Sequence, residues 1–257
     1  MISRFEVWLN EVALSSIHPD IYIRDIEYTV PTLQDTLHAY GLRNGATPIK
    51  RYIGNTSVSV TVEIHAYGTA ERQSACEGIA AWAMKGGILR TSDKPERRLN
   101  VVCSDVPTIE SALNWTDTVT ISFAAYALPF WEDLHPQELK LTGTSATGSM
   151  FGVGYADRPF VAVNLAVKAG TLTEVSFSAG STTIALSGLS LQTGAILKLD
   201  YDKRHILTLV GNNQSVYNKR TASSSDDLRL EIGVANPIVL SANTTVEATF
   251  KARGLYL

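Results

Sequence analysis

Strict alternation of apolar and polar residues is the feature that most limits the folds open to this chain. In Ser57 to Ile64, SVSVTVEI, the residues Val58, Val60, Val62 and Ile64 fall on one side and Ser57, Ser59, Thr61 and Glu63 on the other. Side chains on a strand change face at every step, so this period buries one face, wets the other and predicts a half-buried antiparallel strand. The pattern returns at Val119, Ile121 and Phe123, at Leu99, Val101 and Cys103, and briefly at Ile21 and Ile23. Later it marks Leu197, Leu199 and Tyr201, then Leu228, Leu230 and Ile232, then Val246, Ala248 and Phe250, with Asp202-Lys203 placed to turn the chain after ILKLDY. Short strands with turn signals roughly every 8 to 12 residues point to a β-sandwich or jelly roll.

One segment breaks the rule. TAERQSACEGIAAWAM, residues 69–84, repeats apolar residues at Cys76, Ile79, Ala80 and Ala83, the spacing of one helical face. Thr69 is placed to cap its start, Glu71 suits the first turn, and Gly86-Gly87 can end it. Gly78 costs about 1 kcal/mol against alanine inside a helix, which predicts close packing at that point. Trp82 is expected to hold the helix down.

Leu134 to Pro159 is rich in Gly, Ser and Thr and has prolines near both ends. It reads as a domain boundary followed by a loosely specified entry into a second domain. The expected fold class is therefore all-β with one helix. Residues 1–136 form a sandwich-like domain carrying the helix, and residues 137–257 form a second β-sandwich.

Composition narrows function. The formal net charge is -3, with 18% charged and 45% hydrophobic residues, so the basic surplus of a nucleic-acid binder is lacking. The first residues, MISRFEVWLNEV, do not read as a signal peptide, and no apolar run approaches the roughly 18 residues of a membrane helix. A soluble product of a reducing cytoplasm is expected, with Cys76 and Cys103 as small buried hydrophobes rather than a disulfide. The sequons at Asn55, Asn114, Asn213 and Asn243 read as turn and strand chemistry.

No catalytic or metal constellation stands out. His18, His38, His65, His135 and His205 are scattered, without an HxH or HExxH pair, and no GxSxG elbow marks a nucleophile. His65 reads as a partly buried side chain. Gly152-Val153-Gly154 lacks the third glycine of a phosphate loop and reads as flexible entry. Asp226-Asp227 after three serines reads as a solvated turn, without the spaced oxygens of a calcium loop. All four tryptophans, Trp8, Trp82, Trp115 and Trp131, lie in the first expected domain, leaving Tyr155, Tyr201 and Tyr217 as the candidate sugar platform of the second domain.

KGGILRTSDKPERRLNVVC, residues 85–103, gathers Arg90, Asp93, Lys94, Glu96, Arg97 and Arg98 on one hairpin. From spacing alone this fits a subunit contact and a solvated turn equally, since surface ion pairs contribute only about 0 to 1 kcal/mol each.

Taken in order, FEVWLNEVALSSI, IYIRDIEY, the RNGA turn at Arg43 to Ala46, SVSVTVEIHAY, the helix, LRTSDKPERR and ALPFWED resemble the N-terminal domain of the siphophage distal tail protein (Dit) family. Leu128 stands where the family usually has an acid before Pro129-Phe130. Residues 158–257, from RPFVAVNLAVKAG to VEATFKARGLYL, resemble that family's galectin-like C-terminal sandwich. The resemblance implies a virion structural protein without cofactor. It would form a hexameric ring at the tail tip, joining tail tube protein to hub protein and host-recognition parts, after assembly in the host cytoplasm. DNA would pass the lumen without being held, which a weakly acidic chain suits. It also assigns the six hairpin charges to the subunit contact, where mixed signs set register. Two other readings remain: a carbohydrate-binding module contacting host-wall polysaccharide, and a sandwich hydrolase motivated by fold class alone.

Overall fold

The computed structural model describes residues 5–39, 46–105, 117–126, 128–201 and 206–257. Two compact units divide it, Met1–Trp131 with Leu257, and Glu132–Tyr256. The chain is all-β with one α-helix among the described residues, and its paired strands run antiparallel. Arg43 to Gly45 of the RNGA turn, Asn114, Trp115, the Asp202-Lys203 turn and His205 lie outside the described residues.

Unit 1 contains β1 (Val7–Leu9), β2 (Val12–Ala13), β3 (Ile21–Thr29), β4 (Leu33–Ala39), β5 (Ala46–Ile53) and β6 (Thr56–Ile64). Helix α1 (Thr69–Ala83), β7 (Gly87–Thr91), β8 (Lys94–Asp105) and β9 (Asp117–Ala125) follow, and β10 (Trp131–Asp133) straddles the division into the two units. The sheet runs β2-β1-β7-β8-β9-β6-β3, while β4 and β5 form a separate hairpin. β8 pairs with β7 as far as Val101 and with β9 from Val102 onward, so one long strand carries the sheet around its curl. The alternation in β6 is realised: Val58, Val60, Val62 and Ile64 are fully buried beside Ile121 and Phe123 of β9.

Helix α1 covers this core. Ala75, Cys76, Ile79, Trp82 and Ala83 are buried, whereas Ala80 is only half-buried. Trp82 sets its ring edge-on to Phe123 at 5.9 Å and donates its indole N–H to the Val12 carbonyl at 3.0 Å. A Cβ on Gly78 would stand 2.8 Å from Cγ2 of Ile17, the close approach the sequence predicts. The start differs: Gly68, with φ of 141°, occupies the N-cap and Thr69 is already helical, so no side chain caps α1. Gly86, with φ of 55°, turns the chain out of the helix.

Unit 2 contains β11 (Gln137–Phe151), β12 (Val161–Val167), β13 (Thr171–Ala179), β14 (Thr182–Gln192), β15 (Ile196–Tyr201) and β16 (Leu207–Gly211). β17 (Gln214–Ser215), β18 (Ala235–Ala252) and β19 (Leu255–Tyr256) complete it. The order is β14-β13-β18-β12-β15-β16-β17, with β11 on the other side of β18. β18 pairs with β13 through Ile238–Ala242 and with β12 through Val246–Ala252, so the eighteen-residue strand serves both halves of the core. Asn243 lies between these stretches and satisfies the bulge in β13, accepting from the N–H groups of Thr173 and Glu174 and donating to the Thr171 carbonyl.

Three expectations are corrected here. The Gly/Ser/Thr-rich segment is not a loose entry; most of it is β11, paired with β18 from Gln137↔Ala252 to Phe151↔Ala235. Nor are Gly152 and Gly154 a loose entry: they form bridges with Ile232 and Leu255. A Cβ on Gly152 would strike the Glu231 carbonyl and one on Gly154 the Leu255 backbone, so both glycines permit close chain crossings. Finally, DLRLEI buries Leu228 and Leu230 but makes isolated bridges rather than a strand, and leaves Ile232 exposed. Two backbone bonds, Val161 N–H to the Leu228 carbonyl and Leu230 N–H to the Pro159 carbonyl, are supplemented by side chains: the Tyr201 hydroxyl bonds both Leu228 N–H and C=O, and Asn236 does the same for Glu231.

Candidate subunit-contact hairpin

β7 and β8 form the charged hairpin, with Thr91 opposite Lys94 and Ser92-Asp93 at its tip. The tip is anchored on both sides of the chain: Ser92 donates its N–H to the Glu6 carbonyl at 2.9 Å and accepts the Glu6 N–H on its hydroxyl at 2.9 Å. At the other end the β1–β2 turn supplies Asn10 and Glu11, both at positive φ, 51° and 65°. That conformation is tolerated by asparagine and lets its side-chain amide bracket the start of β7. Asn10 donates to the Gly86 carbonyl at 2.7 Å and accepts the Ile88 N–H at 3.0 Å.

The six candidate charges do not share one role. Arg90 lies opposite Trp8 in the sheet, stacks 5.7 Å above its ring and donates to Glu11 at 2.7 Å. Asp93 accepts the Tyr28 hydroxyl at 2.5 Å, and the buried Thr91 hydroxyl lies 2.9 Å from the same phenol oxygen. Lys94 projects its ammonium over two rings, 4.2 Å from the centre of Tyr28 and 4.6 Å from that of Trp131. Those rings meet edge-on at 5.6 Å. The π faces present partial negative charge to a partly desolvated cation, so the arrangement is attractive.

Burial lowers the Lys94 pKa below its ordinary value, against the opposing pull of Asp93. Burial, then the hydrogen bond to Asp93, raises that of Tyr28. Thus Arg90, Asp93 and Lys94 bind the hairpin to its own unit. Glu96 is exposed and Arg97 and Arg98 are half-buried further along β8. Glu11, Tyr28 and Trp131 carry no local motif tying them to this hairpin, and sequence reasoning missed them.

Elsewhere, Tyr155 and Tyr217 are exposed, but Tyr201 is not a platform residue: its ring packs on Phe160 at 4.7 Å and its hydroxyl is used inside unit 2. Asp226 is exposed, and Asp227 pairs with Arg229 at 3.0 Å. Ser224 and Ser225 accept the N–H groups of Ala185 and Thr183 along β14. His65 is half-buried, edge-on to Tyr22 and 3.2 Å from Glu63. Cys76 is buried and Cys103 half-buried, both as free thiols. Among the described residues no three His, Cys, Asp or Glu side chains are grouped to hold a metal, and no helix is long and apolar enough to cross a membrane.

No family model and no curated protein matches the sequence. Solved structures do match its fold. The SPP1 Dit (gp 19.1) protein, described as a paradigm of the hub adsorption apparatus in phages infecting Gram-positive bacteria, aligns with a TM-score of 0.70 at 14% identity. That alignment covers 97% of this chain and 98% of the SPP1 protein. A chain of the phage P2 baseplate in its activated conformation with Ca aligns at TM-score 0.52 and 10% identity, over 99% of this chain and 98% of that one. The same baseplate with Sr gives 0.51 and 10%, over 97% of each chain. The resemblance read from the sequence is thus met by neighbours of that kind, and the chain has the fold of the SPP1 Dit protein along nearly its whole length.

Proposed function

We propose that this protein is a non-enzymatic structural component of a bacteriophage tail tip. In this reading copies of it close into a ring that joins the tail tube to the hub and host-recognition proteins and leaves a lumen for DNA. The observation that carries the proposal is the end-to-end likeness to the SPP1 Dit protein, which covers both units rather than one common sandwich. The chemistry agrees. A ring needs a heterologous interface, and a hairpin whose Arg90, Asp93 and Lys94 are locked onto their own unit presents Glu96, Arg97 and Arg98 at a fixed angle. All six charges, Arg90, Asp93, Lys94, Glu96, Arg97 and Arg98, would take part in the contact, the first three also holding the hairpin to its own unit.

Negative-stain imaging of the full chain, alone and mixed with tube and hub proteins, tests this. Sixfold rings with a central hole support it. A chain that stays solitary and binds neither neighbour refutes it. Reversing charge at Arg97 and Arg98 should weaken assembly while both units stay folded; intact rings would remove β8 from the interface. Binding of cell-wall polysaccharide without any ring would favour the carbohydrate-module reading instead.

A further inference from the structure

We propose that the outer edge of β11 is a strand-addition site, taking an extended, uncharged segment of a partner protein with an apolar residue seated at the Phe151 end. β11 spends one edge on β18 along its whole length, and among the described residues its other edge has no strand partner. Backbone N–H and C=O groups point to both edges of a strand, so a row of them faces outward here.

Exposed edges are normally blocked by charge, proline, bulges or a covering loop. The edge strand β3 carries Arg24, Asp25 and Glu27 with a register shift between Ile23 and Asp25. β14 is covered through Thr221, Ser224 and Ser225. β11 has a register shift between Gly143 and Ser145, yet residues 141–151 contain no charge and no proline. Its exposed face there is Thr142, Thr144, Ser145, Thr147 and Ser149, small hydroxyl residues that leave the backbone approachable.

The two ends differ, which gives the edge a direction. At one end Phe151 is 49% exposed; the next residue, Gly152, bridges Ile232 and donates its N–H to Val234, themselves 37% and 46% exposed. At the other end stand Glu138, which accepts Lys251 at 2.5 Å, and Lys140. Full antiparallel pairing of two copies would set the apolar end of one against the charged end of the other. A different protein's strand, neutral in its middle and apolar where it meets Phe151, matches the edge better. Main-chain bonds would hold it and the Phe151 end would fix its register. At about 3.4 Å per residue the uncharged stretch accommodates roughly ten residues. The proposal stands on unit 2 alone and does not depend on ring formation.

The test uses the full chain and a blocked eight-residue peptide that alternates threonine and valine and ends in phenylalanine. A control peptide carries proline at its centre. Titration calorimetry and amide hydrogen exchange are the readouts. The first peptide should bind and slow exchange within residues 141–151, and the proline peptide should do neither. Thr147→Lys with Ser149→Lys, both on the exposed face, should weaken binding by about tenfold or more with the melting temperature unchanged. Unaltered exchange in 141–151 with the first peptide, or equal protection by both peptides, overturns the site even if the lysine variant misfolds. Self-association of the free chain that the same lysines abolish would assign the edge to a second copy and overturn the choice of partner.

Discussion

The ammonium of Lys94 lies 4.2 Å from the centre of the Tyr28 ring, on a hairpin whose charges the sequence presents as one group. This contact pins β8 to β3, and Trp131 closes over the same cation at 4.6 Å. A double-mutant cycle with Lys94→Met and Tyr28→Leu should return a coupling energy of about 1 kcal/mol. Chemical denaturation measures it. Purely additive single effects would show that the ring and the cation do not interact.

The same cluster has a signature at high pH. Burial and the Asp93 hydrogen bond raise the Tyr28 pKa above its ordinary value of 10.0, and burial raises that of Tyr201. The folded state therefore holds these protons more tightly than the unfolded chain. That stabilisation is fully present near neutrality and is lost as pH rises from about 10 through the folded-state values. A spectrophotometric titration of the native protein should leave Tyr28 and Tyr201 unionised well above pH 10 until unfolding. Tyr28→Phe should remove one of them. A Tyr28→Phe variant whose native-state titration curve matches that of the unaltered chain above pH 10 would contradict the buried geometry.

Gly78 offers a test in which helix propensity and packing disagree. Alanine is favoured over glycine inside a helix by about 1 kcal/mol. Yet the added Cβ would stand 2.8 Å from Ile17, so Gly78→Ala should instead lower stability by about 1 to 3 kcal/mol. In an Ile17→Ala background, which lacks the Cγ2 methyl, Gly78→Ala should cost less than in the native chain. A stabilised single variant would show that α1 does not lie this close to Ile17.

Asp133 holds together the start and finish of unit 2. Its carboxylate accepts the Gly254 N–H at 2.8 Å and lies 3.4 Å from the Tyr256 hydroxyl, while Arg253 donates to the Asp133 and Leu134 carbonyls. Asp133→Ala should cost about 1 to 3 kcal/mol and speed hydrogen exchange at Gly254. Unchanged exchange there would mean that the carboxylate does not bear on the C-terminal backbone.

Much of this fold is legible in the sequence because burial wrote it there. β6 alternates perfectly since one of its faces is fully buried, and Val246, Ala248 and Phe250 reveal β18 for the same reason. β11 hides because its pairing with β18 is main-chain bonding. Leu141 and Met150 are its buried side chains, Leu139 and Ala146 are only partly buried, and small polar residues and glycines between them break the apolar period. Leu228 and Leu230 mislead in the opposite sense, alternating correctly in a segment whose backbone is shared between Pro159, Val161 and the side chains of Tyr201 and Asn236 and so makes only isolated bridges. For the hairpin, the sequence places all six charges together but not their partners. Glu11 and Tyr28 arrive from β-strands and turns more than sixty residues earlier, a separation that no local pattern bridges.

Native mass spectrometry of the full chain across a range of concentrations, alone and with tail tube and hub proteins, addresses the architectural claim most directly. A tail-tip ring should appear as a discrete assembly of six 27.9 kDa chains that forms alone or on addition of a neighbour. A single 27.9 kDa species under every one of these conditions would contradict it.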